Sequence, residues 1–189
     1  MQVLSYDIPG VRLFVPRHIG DDRGYFAETF RQDIFAEHCG GAVFLQDNES
    51  MSVRPGTVRG LHFQSAPHAQ GKLVRCTAGG LFDVAVDIRN GSPTFGQWVA
   101  EMLTPGNGKQ LWVPSGFAHG FCTLEPETVI AYKVTDYYSA ECDKGLLWND
   151  PALAIAWPDL ADPDTLSGKD RRQPRLAELP AYFGMECAG

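Results

Sequence analysis

Long apolar runs are missing from this 189-residue sequence: nothing approaches the roughly 18 uninterrupted apolar residues of a membrane span. The N-terminal MQVLSYDIPGVRLFVPR also lacks the basic leader and apolar stretch of a secretory signal. A cytoplasmic protein with no membrane partner is expected. Paired cysteines are missing as well. Cys39, Cys76, Cys122, Cys142 and Cys187 are odd in number, scattered and without a CxxC pair, so neither a disulfide framework nor a thiolate zinc site is signalled. They read as reduced and mostly structural. Positive charge is in deficit, with a net charge of −7 and a pI near 5.1, a poor match for nucleic acid, whose phosphates require a broad basic face. Any anionic ligand must therefore meet a local basic cluster.

Turn formers are what the sequence has in quantity. Its 20 glycines and 13 prolines fall between short apolar runs, the pattern of many turns joining many strands. With 44% hydrophobic residues the chain fills one sizeable core, whereas two would each be small, so one domain over 1–189 is expected. Its character changes near Pro158, and residues 159–189 read as a C-terminal appendage; beyond Phe183 no role is assigned. In LFDVAVDI (81–88), Phe82, Val84, Val86 and Ile88 share one face and Leu81, Asp83, Ala85 and Asp87 the other, the period of a strand. Similar runs at 11–15, 43–46, 72–76, 97–103, 110–113 and 128–134 favour a sandwich or jelly roll. Helix is expected over Phe30–His38, where Phe30, Ile34 and His38 share a face before Gly40 and Gly41, with short helical turns within 165–179.

Two histidines fall in related contexts. Gly56 lies six residues before His62, and Gly108 lies six before Pro114, which opens the string PSGFAH ending at His119. The second string matches G-x5-P-x-G-x2-H and the first G-x5-H, so the chain resembles a cupin. That resemblance implies an all-β double-stranded β-helix, a jelly roll, with a few short helices. A metal-binding cupin continues its first box as His-x-His followed by Glu. Here the chain reads His62, Phe63, Gln64, and one imidazole per box is too few for a metal site. A metal-free, cofactor-free barrel is expected, its histidines available for proton transfer. An arbitrary histidine is more often a satisfied core or loop residue, the reading given to His18, His38 and His68. His62 stands apart because Arg59 precedes it and Lys72 follows, so an imidazole and two cations can converge.

The ordered strings DDRGYFAETF (21–30), QDNES (46–50), RGLHFQ (59–64), QGKLVRC (70–76), DVAVDIRNGSPTFGQW (83–98), LWVPSGFAHGF (111–121), YKVTDYY (132–138) and LWNDP (147–151) together resemble the dTDP-4-dehydrorhamnose 3,5-epimerases, over residues 10–176. By that resemblance His62 is the general base, Asp170 in LSGKD its carboxylate partner, Tyr132 the acid and Lys72 the partner of the substrate's C4 oxygen. The resemblance also assigns substrate binding to Arg23, Phe26, Glu28, Gln46, Asn48, Arg59, His119, Tyr138, Asp143 and Lys169, with position 143 the loosest match because relatives often carry Glu. Asp83 is expected to orient the Lys72 ammonium. The implied partners are a dTDP-sugar and a second copy of the chain, joined by N-terminal strands that add to the partner's sheet.

The chemistry accounts for these residue types. Epimerising a carbon beside a ketone removes a C–H proton to give an enolate and returns a proton to the opposite face, so two groups are required on opposite sides. A carboxylate on the far ring nitrogen fixes the histidine's tautomer, and a cation steadies the enolate oxygen. Each residue also has an ordinary reading. Ser167 to Asp170 fits a helix-capping pattern, Lys72 fits a solvated strand position, and Tyr132, sharing a face with Ile130 and Val134, fits a core tyrosine. The sequence leaves open epimerisation at C3 alone or C5 alone, the identity of the nucleotide, and a non-catalytic sugar-nucleotide-binding cupin.

Overall fold

The computed structural model describes residues 1–184, so Cys187 lies outside the described residues. Strands are numbered in chain order. One sheet has six, in the order β1 (Gln2–Ser5), β2 (Arg12–Val15), β10 (Gln110–Val113), β7 (Lys72–Ala78), β12 (Thr128–Val134) and β5 (Gln46–Ser52). The other has five: β13 (Asp143–Gly145), β6 (Val58–Gln64), β11 (Phe117–Thr123), β8 (Leu81–Asp87) and β9 (Trp98–Leu103). A hairpin of β3 (His18–Asp21) and β4 (Gly24–Ala27) belongs to neither. Neighbours such as β10 between β2 and β7, or β11 between β6 and β8, are far apart in the chain and antiparallel, the connectivity of a jelly roll. Strand makes up 41% of the described residues and helix 9%, so the molecule is the all-β cupin jelly roll that the histidine boxes imply.

Alternation along each strand sends one set of side chains into the barrel. Leu13, Val74, Leu81, Leu111, Phe117 and Ile130 meet there, each removed from water, at about 1.5–3 kcal/mol per side chain. The outer faces are covered differently. On the six-stranded sheet lies α1 (Gln32–Cys39), whose Phe35 meets Trp112 edge-on at 4.8 Å and packs with Phe14 and Leu73. On the five-stranded sheet lies the C-terminal segment, with Leu153 and Phe183 on Leu61, Phe63, Val84 and Val86. Gly56 secures that cover: its φ is +74°, and a Cβ there would stand 2.2 Å from the Leu160 carbonyl oxygen.

Several elements depart from the sequence expectation. The 43–46 run is the approach to β5, whose own residues, QDNESMS, carry little apolar signal. In α1 the buried residue is Phe35, and His38 is exposed, so the face given by Phe30, Ile34 and His38 is rotated by one position. Within 165–179 the turns are 3-10, at Asp170–Arg172 and Leu176–Glu178, and another precedes them at Pro163–Thr165. The described cysteines are free, and burial pushes Cys39 up to about 12 and Cys76 and Cys122 to about 11. No helix among the described residues is long and apolar enough to cross a membrane.

Candidate active site

Strand pairing sets the two box histidines opposite each other, His62 of β6 against His119 of β11. The strands approach so closely that a Cβ on Gly60 would lie 2.7 Å from the Gly120 Cα and 2.8 Å from the His119 carbonyl oxygen. The rings then take different partners. His119 is buried, its Nε2 2.7 Å from Asp83 Oδ1. His62 keeps 32% of its side chain exposed, and its Nε2 is 2.5 Å from Asp170 Oδ1. Because a carboxylate accepts, Nε2 carries the hydrogen and Nδ1 keeps its lone pair.

Asp170 arrives on a 3-10 turn 108 residues downstream of His62. Burial alone would raise its pKa, but the bond and charge of His62, with help from Ser167 and Lys169, hold it below the usual carboxylate range. The capping reading is also realised, since the Asp170 N–H donates to Ser167 Oγ at 3.1 Å. Ser167 holds the backbone while the carboxylate turns to the imidazole.

Lys72 and Tyr132 come from the opposite sheet, on β7 and β12, and line the same cavity as His62, a space of about 220 Å³. Lys72 Nζ donates to the His62 carbonyl at 3.3 Å. Burial pushes its pKa down to about 8, with Asp143 and Asp83 opposing and Lys169 adding to the fall. Burial raises the pKa of Tyr132, against the pull of Arg59, so its phenol stays protonated at neutral pH. An imidazole on one wall thus faces a phenol and an ammonium on the other.

At the cavity mouth Tyr138 donates its hydroxyl to Asp143 Oδ2 at 3.2 Å, and Lys169 pairs with the same oxygen. Gln46 donates to Asn48 Oδ1 at 2.7 Å. All five line the cavity. Arg59 stands outside it, held by Ser52 Oγ and the Met51 carbonyl. Asp83 bonds His119 directly and reaches Lys72 only through its charge, and its Oδ2 is buried without a hydrogen-bond partner. Arg23, Phe26 and Glu28, on or just after the β3–β4 hairpin, are exposed and do not line the cavity; Arg23 pairs with Asp21 and Glu28 with Arg31. Gln64 and Gln70, unassigned from the sequence, do line it. Gln64 had one signal: it occupies the place of the second metal-cupin histidine.

Among the described residues no group of three or more His, Cys, Asp or Glu side chains is gathered as a metal ion would require. A larger depression, about 250 Å³, lies between Phe30, Arg75, Gln110 and Lys133. It includes Tyr132 but no histidine, and so lacks the paired acid and base.

Comparison with known proteins identifies the family. The sequence model described as dTDP-4-dehydrorhamnose 3,5-epimerase matches residues 5–178. A protein of that name from Sinorhizobium fredii is 58% identical over 183 residues, covering 97% of this chain and 93% of its own. A Legionella pneumophila dTDP-6-deoxy-D-glucose-3,5-epimerase, solved in complex with dTDP-4-keto-L-rhamnose, is 44% identical with a TM-score of 0.88, covering 95% of each chain. A Bacillus anthracis dTDP-4-dehydrorhamnose 3,5-epimerase, solved with TDP and PPi bound, is 48% identical with a TM-score of 0.87, covering 92% of this chain and 98% of its own.

Proposed function

The chain belongs to the dTDP-4-dehydrorhamnose 3,5-epimerase family, and from that premise we propose that His62 and Tyr132 invert its substrate's carbons from opposite sides of the sugar ring. The protein is an isomerase. It epimerises dTDP-4-dehydro-6-deoxy-D-glucose at C3 and C5 to dTDP-4-dehydro-L-rhamnose, in dTDP-rhamnose biosynthesis.

His62 Nδ1 takes the proton from a carbon beside the C4 ketone, and the C–H electrons move into the ring to leave an enolate whose charge sits on the C4 oxygen. The Lys72 ammonium holds that oxygen, a contact of the kind worth about 3–4 kcal/mol to a transition state. Asp170 stabilises the imidazolium. The Tyr132 hydroxyl then gives its proton to the carbon from the other face, and solvent restores both groups. The observation that carries this reading is that His62 and Tyr132 line one cavity from facing sheets. Gln46, Asn48, Tyr138, Asp143 and Lys169 mark the nucleotide end at the mouth, with Tyr138 stacking on the base.

The experiment is turnover in deuterated water: product should carry one deuteron at C3 and one at C5. Label at one carbon only would reduce the assignment to a single-position epimerase, and none would leave a binding module.

A second copy of the chain completes the proposal. The β3–β4 hairpin carries Arg23 and Phe26, with Glu28 just after, away from the cavity of its own chain, and exposes Ile19, Tyr25 and Phe26 at 58%, 60% and 69%. β1 stands as an unpaired sheet edge with Leu4 exposed, a place for a partner's strand.

A further inference from the structure

Between β12 and β13 the chain passes through Asp136–Ser139 without joining a sheet, so its backbone groups need other partners. Three glutamine side chains supply them. Gln70 Nε2 donates to the Asp136 carbonyl at 2.7 Å. Gln64 Nε2 donates to the Tyr137 carbonyl at 3.1 Å, and its Oε1 accepts from the Ser139 N–H at 2.7 Å. Gln46 Oε1 accepts from the Tyr138 N–H at 3.2 Å. Gln64 also donates to the His68 carbonyl at 2.7 Å, which occupies both hydrogens of its amide.

The ordinary reading is that any irregular segment collects such bonds. Two observations go further. Gln64 and Gln70 are 4% and 9% exposed, while Tyr138 is 62% exposed and, among the described residues, its ring is tied only at the hydroxyl, by Asp143. The two amides also sit beside the chemistry: Gln64 follows His62 by two residues on β6, and Gln70 precedes Lys72 by two. β6, which positions His62, therefore also positions the segment carrying Tyr138, and the residues leading into β7 and Lys72 bond the same segment.

We propose that Gln64 and Gln70 are positioning residues that hold Tyr138 as a fixed platform for the nucleotide base, in register with His62 and Lys72. This rests on the reading of Tyr138 as the base contact. The platform exists before substrate arrives, so affinity for the nucleotide depends on amides whose hydrogen bonds are made to the protein's own backbone.

The test is a double-mutant cycle on dTDP binding, read by calorimetry, with steady-state kinetics beside it. Gln64→Met keeps the side-chain length and removes all three of its bonds; it should weaken dTDP about tenfold and raise KM by the same factor, with kcat within about twofold. In a Tyr138→Ala background the same change should cost nothing more. An equal loss in both backgrounds, no loss in either, or a fall in kcat at constant KM would overturn the proposal. Should Gln64→Met fail to fold, Gln70→Met, which gives up one bond, carries the same cycle. If Tyr138→Ala alone binds dTDP like the native protein, the stacking reading fails first and takes the platform with it.

Discussion

Lys72 holds a charge where burial disfavours it. Its pKa falls from 10.5 to about 8, so between these values the unfolded chain binds the extra proton and stability rises with pH, while below both the buried ammonium weakens the fold. Under the proposed mechanism catalysis runs the other way, because a neutral amine cannot hold an enolate. Activity should therefore fall as pH rises through about 8. Lys72→Met should lower kcat/KM by about 10²–10³ and abolish that alkaline limb, with an unchanged or higher melting temperature. A melting temperature several degrees lower would mean the ammonium is a structural asset. For Tyr132, the separation of roles predicts that Tyr132→Phe still lets His62 take and return protons on one face. Recovered substrate should gain deuterium, checked by mass spectrometry, while inversion falls by about 10²–10⁴.

At the scale of elements, the β6–β11 contact is the least tolerant. Gly60 has a φ of +116°, and a Cβ there would press on the Gly120 backbone and the His119 carbonyl. Gly60→Ala should destabilise the protein by about 3 kcal/mol or more, measured by denaturant unfolding, and disturb the pairing of His62 with His119. Legibility in the sequence followed alternation of polarity, whatever the burial. LFDVAVDI showed its period because Asp83 and Asp87 fall on one face, although both are buried, whereas FAHGFCT of β11, buried at every position, has no alternation to read. QDNESMS of β5 was missed for the opposite reason, too little apolar character. The boxes implied the architecture and marked His62, while Lys72 stood out only as a nearby cation whose role came from the family resemblance. Asp170 and Tyr132 came only through family resemblance, since a partner 108 residues away leaves no local pattern. Gln64 and Gln70 left no periodic trace because a carboxamide acts through neighbours the sequence does not place beside it.

For the whole molecule, the outlying hairpin makes a prediction about assembly. Arg23→Ala and His62→Asn, each weak alone, should regain activity when mixed and refolded together, because a hybrid dimer has one site with neither lesion. No recovery on mixing, or sedimentation as a monomer at micromolar concentration, would detach Arg23 from the site. The C-terminal cover has a different bearing. It is pinned by bonds from Asp162 N to the Gly56 carbonyl, Val58 N to Thr165 Oγ1 and Leu147 N to the Pro174 carbonyl, and it alone delivers Asp170. The catalyst is therefore assembled from a rigid vessel and a strap buckled across its side. Loosening the strap alone would silence the proposed chemistry in protein whose barrel is still folded, so activity should be lost on warming no later than the strands melt.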